Sequence, residues 1–133
     1  MSARVAILTA AMVSLSLQAS AQNTIPPDDA ARLDKQIESM NKQTPVDLNP
    51  QQKLTHVSRE GAVILYSVET AIPAEKWTQE MRDWPFREST KAACTDKATR
   101  LLLDRGFQMR YLFKDKSGLY VTSFVISKDK CTL

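Results

Sequence analysis

The sequence predicts an α+β domain, an antiparallel sheet of two hairpins (about four strands) covered on one face by helices. Three observations lead there. Phe107, Met109, Tyr111 and Phe113 alternate with Gln108, Arg110, Leu112 and Lys114, the period of a half-buried strand. A second pair of β-rich runs flanks Glu60-Gly61. Apolar residues at helical spacing stand before and between these pairs, so the expected order is α-β-β-α(broken)-β-β.

The first helix is set by Asp28 or Asp29 as cap and by Ala30, Leu33, Ile37 and Met40 at spacings of three and four. Glu38 and Lys42 form an i,i+4 pair on its outer side. Pro45 and Pro50 bracket a connector in which no helix can persist. Lys53–Arg59 and Ala62–Thr70 read as strands; in the second, Ile64, Tyr66 and Val68 share one face and Val63 and Leu65 the other, the pattern of an inner strand. Pro73 opens a helical stretch to Asp83, which the Trp84-Pro85 step is expected to break, Pro85 then starting a new helix. Thr95-Asp96 is a further cap signal before Ala98, Leu101 and Leu102, and Gly106 a natural C-terminal cap. Asp115-Lys116-Ser117-Gly118 supplies turn chemistry between Phe107–Lys114 and a returning strand at Leu119–Ser127.

The N-terminus has a different character. Arg4, an apolar run from Val5 to Leu17 and Ala19-Ser20-Ala21 form the basic, apolar and small-residue order of a secretory signal peptide. The run falls short of the roughly 20 apolar residues needed to span a bilayer, and no cysteine follows it to be lipidated. Residues 1–21 are therefore expected to be removed after Ala21, leaving 22–133 as a single exported domain in the periplasm or medium, with no membrane insertion.

Of the 133 residues, 43% are hydrophobic and 25% charged, the composition of an ordered globular chain. The net charge of +3 falls by one with Arg4, too little to imply a polyanionic partner. Lys114 and Lys116 stand at one end of the last strand and Lys128 and Lys130 at the other, so they form no nucleic-acid site. Both cysteines, Cys94 and Cys131, fall in the exported part and are expected to form one disulfide. The alternative, Cys94 as a nucleophile with His56 as base, has nothing in the sequence to bring the two together.

Other chemistries lack their residues. One histidine and no Cys-x-x-Cys leave no metal site, and no cofactor is expected. Gly-x-Ser-x-Gly is absent, and three glycines do not make a phosphate cradle. Glu75, Glu80, Asp83 and Glu88 offer carboxylate pairs, yet they interleave with Lys76, Arg82 and Arg87 as solvated charges do. Trp77, Met81 and Trp84 recur at i, i+4 and i+7, a stripe that either packs on the sheet or anchors a partner.

The C-terminal third, from Cys94-Thr-Asp-Lys-Ala-Thr-Arg-Leu-Leu-Leu-Asp-Arg-Gly106 through Tyr111, Lys114-Asp-Lys-Ser-Gly118, Phe124 and Cys131, resembles small exported proteobacterial proteins described as quorum-sensing-regulated virulence factors. With the Gly61–Glu69 strand, the resemblance covers residues 52–131. It implies an exported α/β domain with one disulfide and supplies no catalytic residues.

The expected function is that of a non-enzymatic, exported protein-binding domain, virulence-associated or an accessory of an envelope secretion or conjugation apparatus, with Trp77, Met81 and Trp84 as candidate partner surface. The alternatives are a small-ligand or envelope-component binding module and a small periplasmic hydrolase. Intact-mass measurement of exported protein is expected to give a chain beginning at Gln22; recovery of residues 1–21 on the exported chain would contradict the signal-peptide reading.

Overall fold

The computed structural model describes residues 27–132; the expected cleavage site at Ala21 lies outside them. Helix α1 (Pro27–Gln43) carries Asp28 and Asp29 in its first turn, where acids suit the positive end of the helix dipole, and buries Leu33 and Ile37. Among the described residues five strands follow, β1 (Val46–Asn49), β2 (Gln52–Glu60), β3 (Val63–Thr70), β4 (Gln108–Asp115) and β5 (Tyr120–Ile126). Between β3 and β4 come a 3₁₀ turn (Ala74–Lys76) and helices α2 (Gln79–Thr95) and α3 (Lys97–Asp104).

The sheet order is β1-β2-β3-β4-β5. The α+β class and the two hairpins β2–β3 and β4–β5 agree with expectation, but the sheet has five strands, not four, and is mixed. Strands β3 and β4 pair in parallel along their length, Ile64 with Met109, Tyr66 with Tyr111 and Val68 with Phe113. Antiparallel neighbours can be joined by a turn, whereas parallel ones need a long crossover, and residues 71–107 supply it. The additional strand, β1, lies in the connector between Pro45 and Pro50 and pairs Val46 with Leu54 and Asp47 with Lys53. Its residues are all exposed, so it carries little of the hydrophobic signal that marks a buried strand.

The broken helix breaks elsewhere than expected. Helix α2 runs through Trp84-Pro85 and ends at Asp96, whose extended backbone (φ −75°, ψ 125°) terminates α2 while its carboxylate caps α3 through the Thr99 N–H at 3.0 Å. A proline in the second turn removes one backbone donor at a cost of roughly 3 kcal/mol. Tertiary contacts outweigh it: Phe86 meets Phe124 edge-on at 5.3 Å, and Ala93 is buried with Leu103, Met109 and Ile126. Gly106, at φ +98°, closes α3 as expected; its N–H donates to the Leu103 carbonyl and that of Phe107 to the Leu102 carbonyl.

Helices α1, α2 and α3 cover one face. Leu33 and Ile37 of α1 pack with Val57, Ile64 and Phe107, while Trp77 packs with Val68, Phe113 and Val121 at the far end of the same strands. Across the middle, Tyr66, Tyr111 and Phe124 stack in register at 4.8 and 5.0 Å, and burial raises both tyrosine hydroxyls above their ordinary pKa. The opposite face carries Asp47, Lys53, Glu69 and Lys114 side by side on β1–β4, a row of alternating charge.

Asp115, at the end of β4, links the crossover to the β4–β5 turn. Its carboxylate accepts from the N–H groups of Ala74 (2.9 Å), Leu119 (3.0 Å) and Ser117 (2.9 Å), which hold its pKa below the usual carboxylate value. Asn41 does related work on β2, its side-chain amide exchanging two hydrogen bonds with the backbone of Val57, as a neighbouring strand would.

Cys94 near the end of α2 is bonded to Cys131 in the C-terminal tail, Cα to Cα 5.5 Å, closing a separation of 37 residues. Cys94→Ser is expected to lower unfolding stability by about 3–4 kcal/mol in urea titration, and the unreduced wild type to show no reactive thiol. Labelling of both cysteines without reductant would contradict the bridge.

Candidate functional site

Helix α2 begins where its cap dictates. Thr78 is the N-cap: its hydroxyl accepts from the Met81 N–H at 3.2 Å, and the Met81 sulfur lies 3.5 Å from the Thr78 N–H. The arrangement is a capping box with a thioether, a weak acceptor, in place of the usual Glu or Gln. It turns the Met81 side chain back toward the helix start. Trp77 therefore precedes the helix, and the i, i+4, i+7 spacing expected of the stripe does not describe one helical face.

The three residues nevertheless share one cleft. It has a volume of about 520 Å³ and lies between the β1–β2 turn (Asn49, Pro50, Gln51, Gln52) and the start of α2, with Ile72, Trp77, Met81, Trp84 and Pro85 supplying its apolar wall. Trp77 forms the floor, 5% exposed, its indole N–H donating to the Ile72 carbonyl at 3.1 Å and its ring edge-on to Phe113 at 6.2 Å. The Arg82 guanidinium fixes this corner, donating to the carbonyls of Trp77 at 2.7 Å and Val121 at 3.1 Å. Met81 is half-buried. Trp84 is 50% exposed, and Val46 and Leu48 are exposed on β1, which leads into the turn. The stripe thus divides into a core tryptophan and a surface tryptophan.

The candidate acids separate. Glu80 lines the cleft beside Trp84, whereas Asp83 lines a different groove, along β5 with Gln79, Arg82 and Phe86. Glu80 pairs with Arg87 at 3.4 Å, and Asp83 accepts from Gln79 at 2.8 Å; all four side chains are exposed at the surface of α2. Each carboxylate thus has its own groove and its own partner. His56 is exposed on β2 next to a register shift, and the Cys94 sulfur is committed to Cys131, so the Cys94–His56 alternative fails. Among the described residues, no group of three His, Cys, Asp or Glu side chains is placed to hold a metal ion, and no helix is long and apolar enough to cross a membrane.

Sequence reasoning named three of the apolar wall residues and missed the rest. The turn from Asn49 to Gln52 reaches the cleft through the β1–β2 pairing, and Ile72 through the end of β3, where the Ala71 N–H donates to the Gln51 carbonyl at 2.8 Å.

No protein-family model and no curated protein matches the chain. Solved structures share its fold. A protein from Pseudomonas aeruginosa described as secreted is 22% identical with a TM-score of 0.58, the match covering 76% of this chain and 94% of that one. EpsS, the pilotin of the Vibrio vulnificus type 2 secretion system, is 14% identical with a TM-score of 0.66, over 77% of this chain and 91% of its own. AspS, a type II secretion system pilotin from Vibrio cholerae, is 14% identical with a TM-score of 0.65, over 86% of this chain and all of its own.

The division of the tryptophans has a direct test. Trp77→Ala is expected to cost about 3–5 kcal/mol of stability, as removal of a buried aromatic does. Trp84→Ala is expected to cost less than about 1 kcal/mol. Equal losses in chemical denaturation would return Trp84 to the core.

Proposed function

We propose that the protein is a non-enzymatic, exported accessory of an envelope secretion apparatus, and that it acts by binding a protein partner at the cleft beside Trp84. The observation that carries the reading is the half-exposed indole of Trp84 above an apolar wall whose floor, Trp77, belongs to the core. Solvent contact at an indole of this size is unfavourable, and tryptophan is the residue most enriched among binding hot spots. The two pilotins that share the fold support placing the role in secretion, and the signal-like N-terminus supports placing it outside the cytoplasm. The separation of Glu80 from Asp83 and the oxidised state of Cys94 weigh against a hydrolase. The virulence-associated role implied by the C-terminal resemblance is compatible with this reading, since export through the envelope serves both.

Tagged mature protein is expected to capture a component of an envelope secretion apparatus from the native envelope fraction, identified by mass spectrometry. Trp84→Ala is expected to weaken that capture by about 2 kcal/mol or more while the fold is retained. Undiminished capture by the folded variant would place the partner site elsewhere.

A further inference from the structure

We infer that the segment bound in this cleft is a short apolar stretch of the partner that carries a Lys or Arg, with the cation seated between the Trp84 indole and the Glu80 carboxylate. The inference rests on the reading of the cleft as a protein-binding site and specifies the chemistry of what enters it. Among the residues that line the cleft, Glu80 is the one charged side chain, and no basic residue accompanies it on the wall. The remaining polar lining is neutral, and the Asn49 amide is turned onto its own loop, its oxygen accepting from the Gln51 N–H at 2.9 Å and its nitrogen donating to the Gln52 side chain at 3.1 Å.

Glu80 and Trp84 are one helical turn apart on α2, the spacing that places two side chains on the same face. An exposed indole beside a carboxylate presents a ring face and a negative charge to the same incoming group, and both favour a cation. A partner with an acid at this position would meet Glu80, and the one cation beside it, Arg87, stands outside the cleft wall. The present counter-ion of Glu80 does not close the site: Arg87 reaches it with one contact at 3.4 Å, the two side chains being 52% and 80% exposed. Exchanging so exposed a partner for another costs little. The net positive charge of the whole chain does not oppose this, since charges beyond about 8 Å are screened at physiological salt while Glu80 acts at contact.

The test uses two water-soluble model peptides of Leu, Ser and Gln that differ only in one central Lys or Glu, titrated calorimetrically into the mature protein. The Lys peptide is expected to bind about tenfold more tightly than the Glu peptide, and Glu80→Lys, its folding checked by thermal melting, to invert the preference. Equal affinity for the two peptides, unchanged by Glu80→Lys, overturns the inference. Loss of both peptides in Trp84→Ala would then show that the cleft still binds protein, without a charge requirement. Binding of neither peptide overturns the inference as well. So does concentration-dependent self-association of the mature protein that Trp84→Ala abolishes, which would make a second copy of the chain the occupant.

Discussion

Two parallel strands at the centre of a sheet cannot be joined by a turn, because the chain leaves the first at the end opposite to where the second begins. The pairing of β3 with β4 therefore obliges residues 71–107 to cross back over the sheet. Helices α2 and α3 are that crossing, and with α1 they cover one face; the other carries a row of alternating charges beside half-buried Leu65 and Leu112. Where the crossing starts, Trp77 enters the core over Val68 and Phe113, and the Asp115 carboxylate takes the Ala74 N–H. Where α2 ends, Cys94 is tied to the chain beyond β5. The path of α2 is thus anchored at both ends, and its first turns stand beside the β1–β2 turn with Trp84 facing solvent.

That geometry explains why the cleft consists of residues from three separate stretches of chain. Met81 is aimed by its own capping interaction, Trp77 is held by Ile72 and Arg82, and Asn49 to Gln52 are delivered by the hairpin that β1 forms with β2. The buried floor is thus held in place, while Trp84 and Glu80 stand exposed at its edge. A floor that is already ordered adds no ordering cost to an association.

Much of this was legible in the sequence where local rules act alone. The alternation from Phe107 to Phe113, the turn at Asp115–Gly118 and the glycine stop at Gly106 each depend on neighbouring residues, and each is found in place. The reading failed where distant residues decide. Trp84-Pro85 is a helix-breaking step by its own chemistry, but Phe86 and Ala93 are packed by strands remote in sequence, and that packing carries the helix through. Strand β1 was hidden because a short exposed edge strand buries little. Parallel pairing was hidden because a hairpin-rich sequence does not state which strands become neighbours. The stripe Trp77-Met81-Trp84 was legible as a set of residues, while its division into floor and rim was fixed by a helix start at Thr78 that the spacing concealed.

The central claim, that Trp84 is a surface indole covered only by a partner, is tested most directly by fluorine NMR of the fluorotryptophan-labelled protein, its two resonances assigned through Trp84→Phe. In the free protein the Trp84 resonance is expected to shift between H₂O and D₂O and the Trp77 resonance to stay fixed. On adding the captured envelope partner, the Trp84 resonance is expected to move and lose its solvent sensitivity. A Trp84 resonance already insensitive to solvent in the free protein, or one unchanged in the bound protein, would contradict the claim.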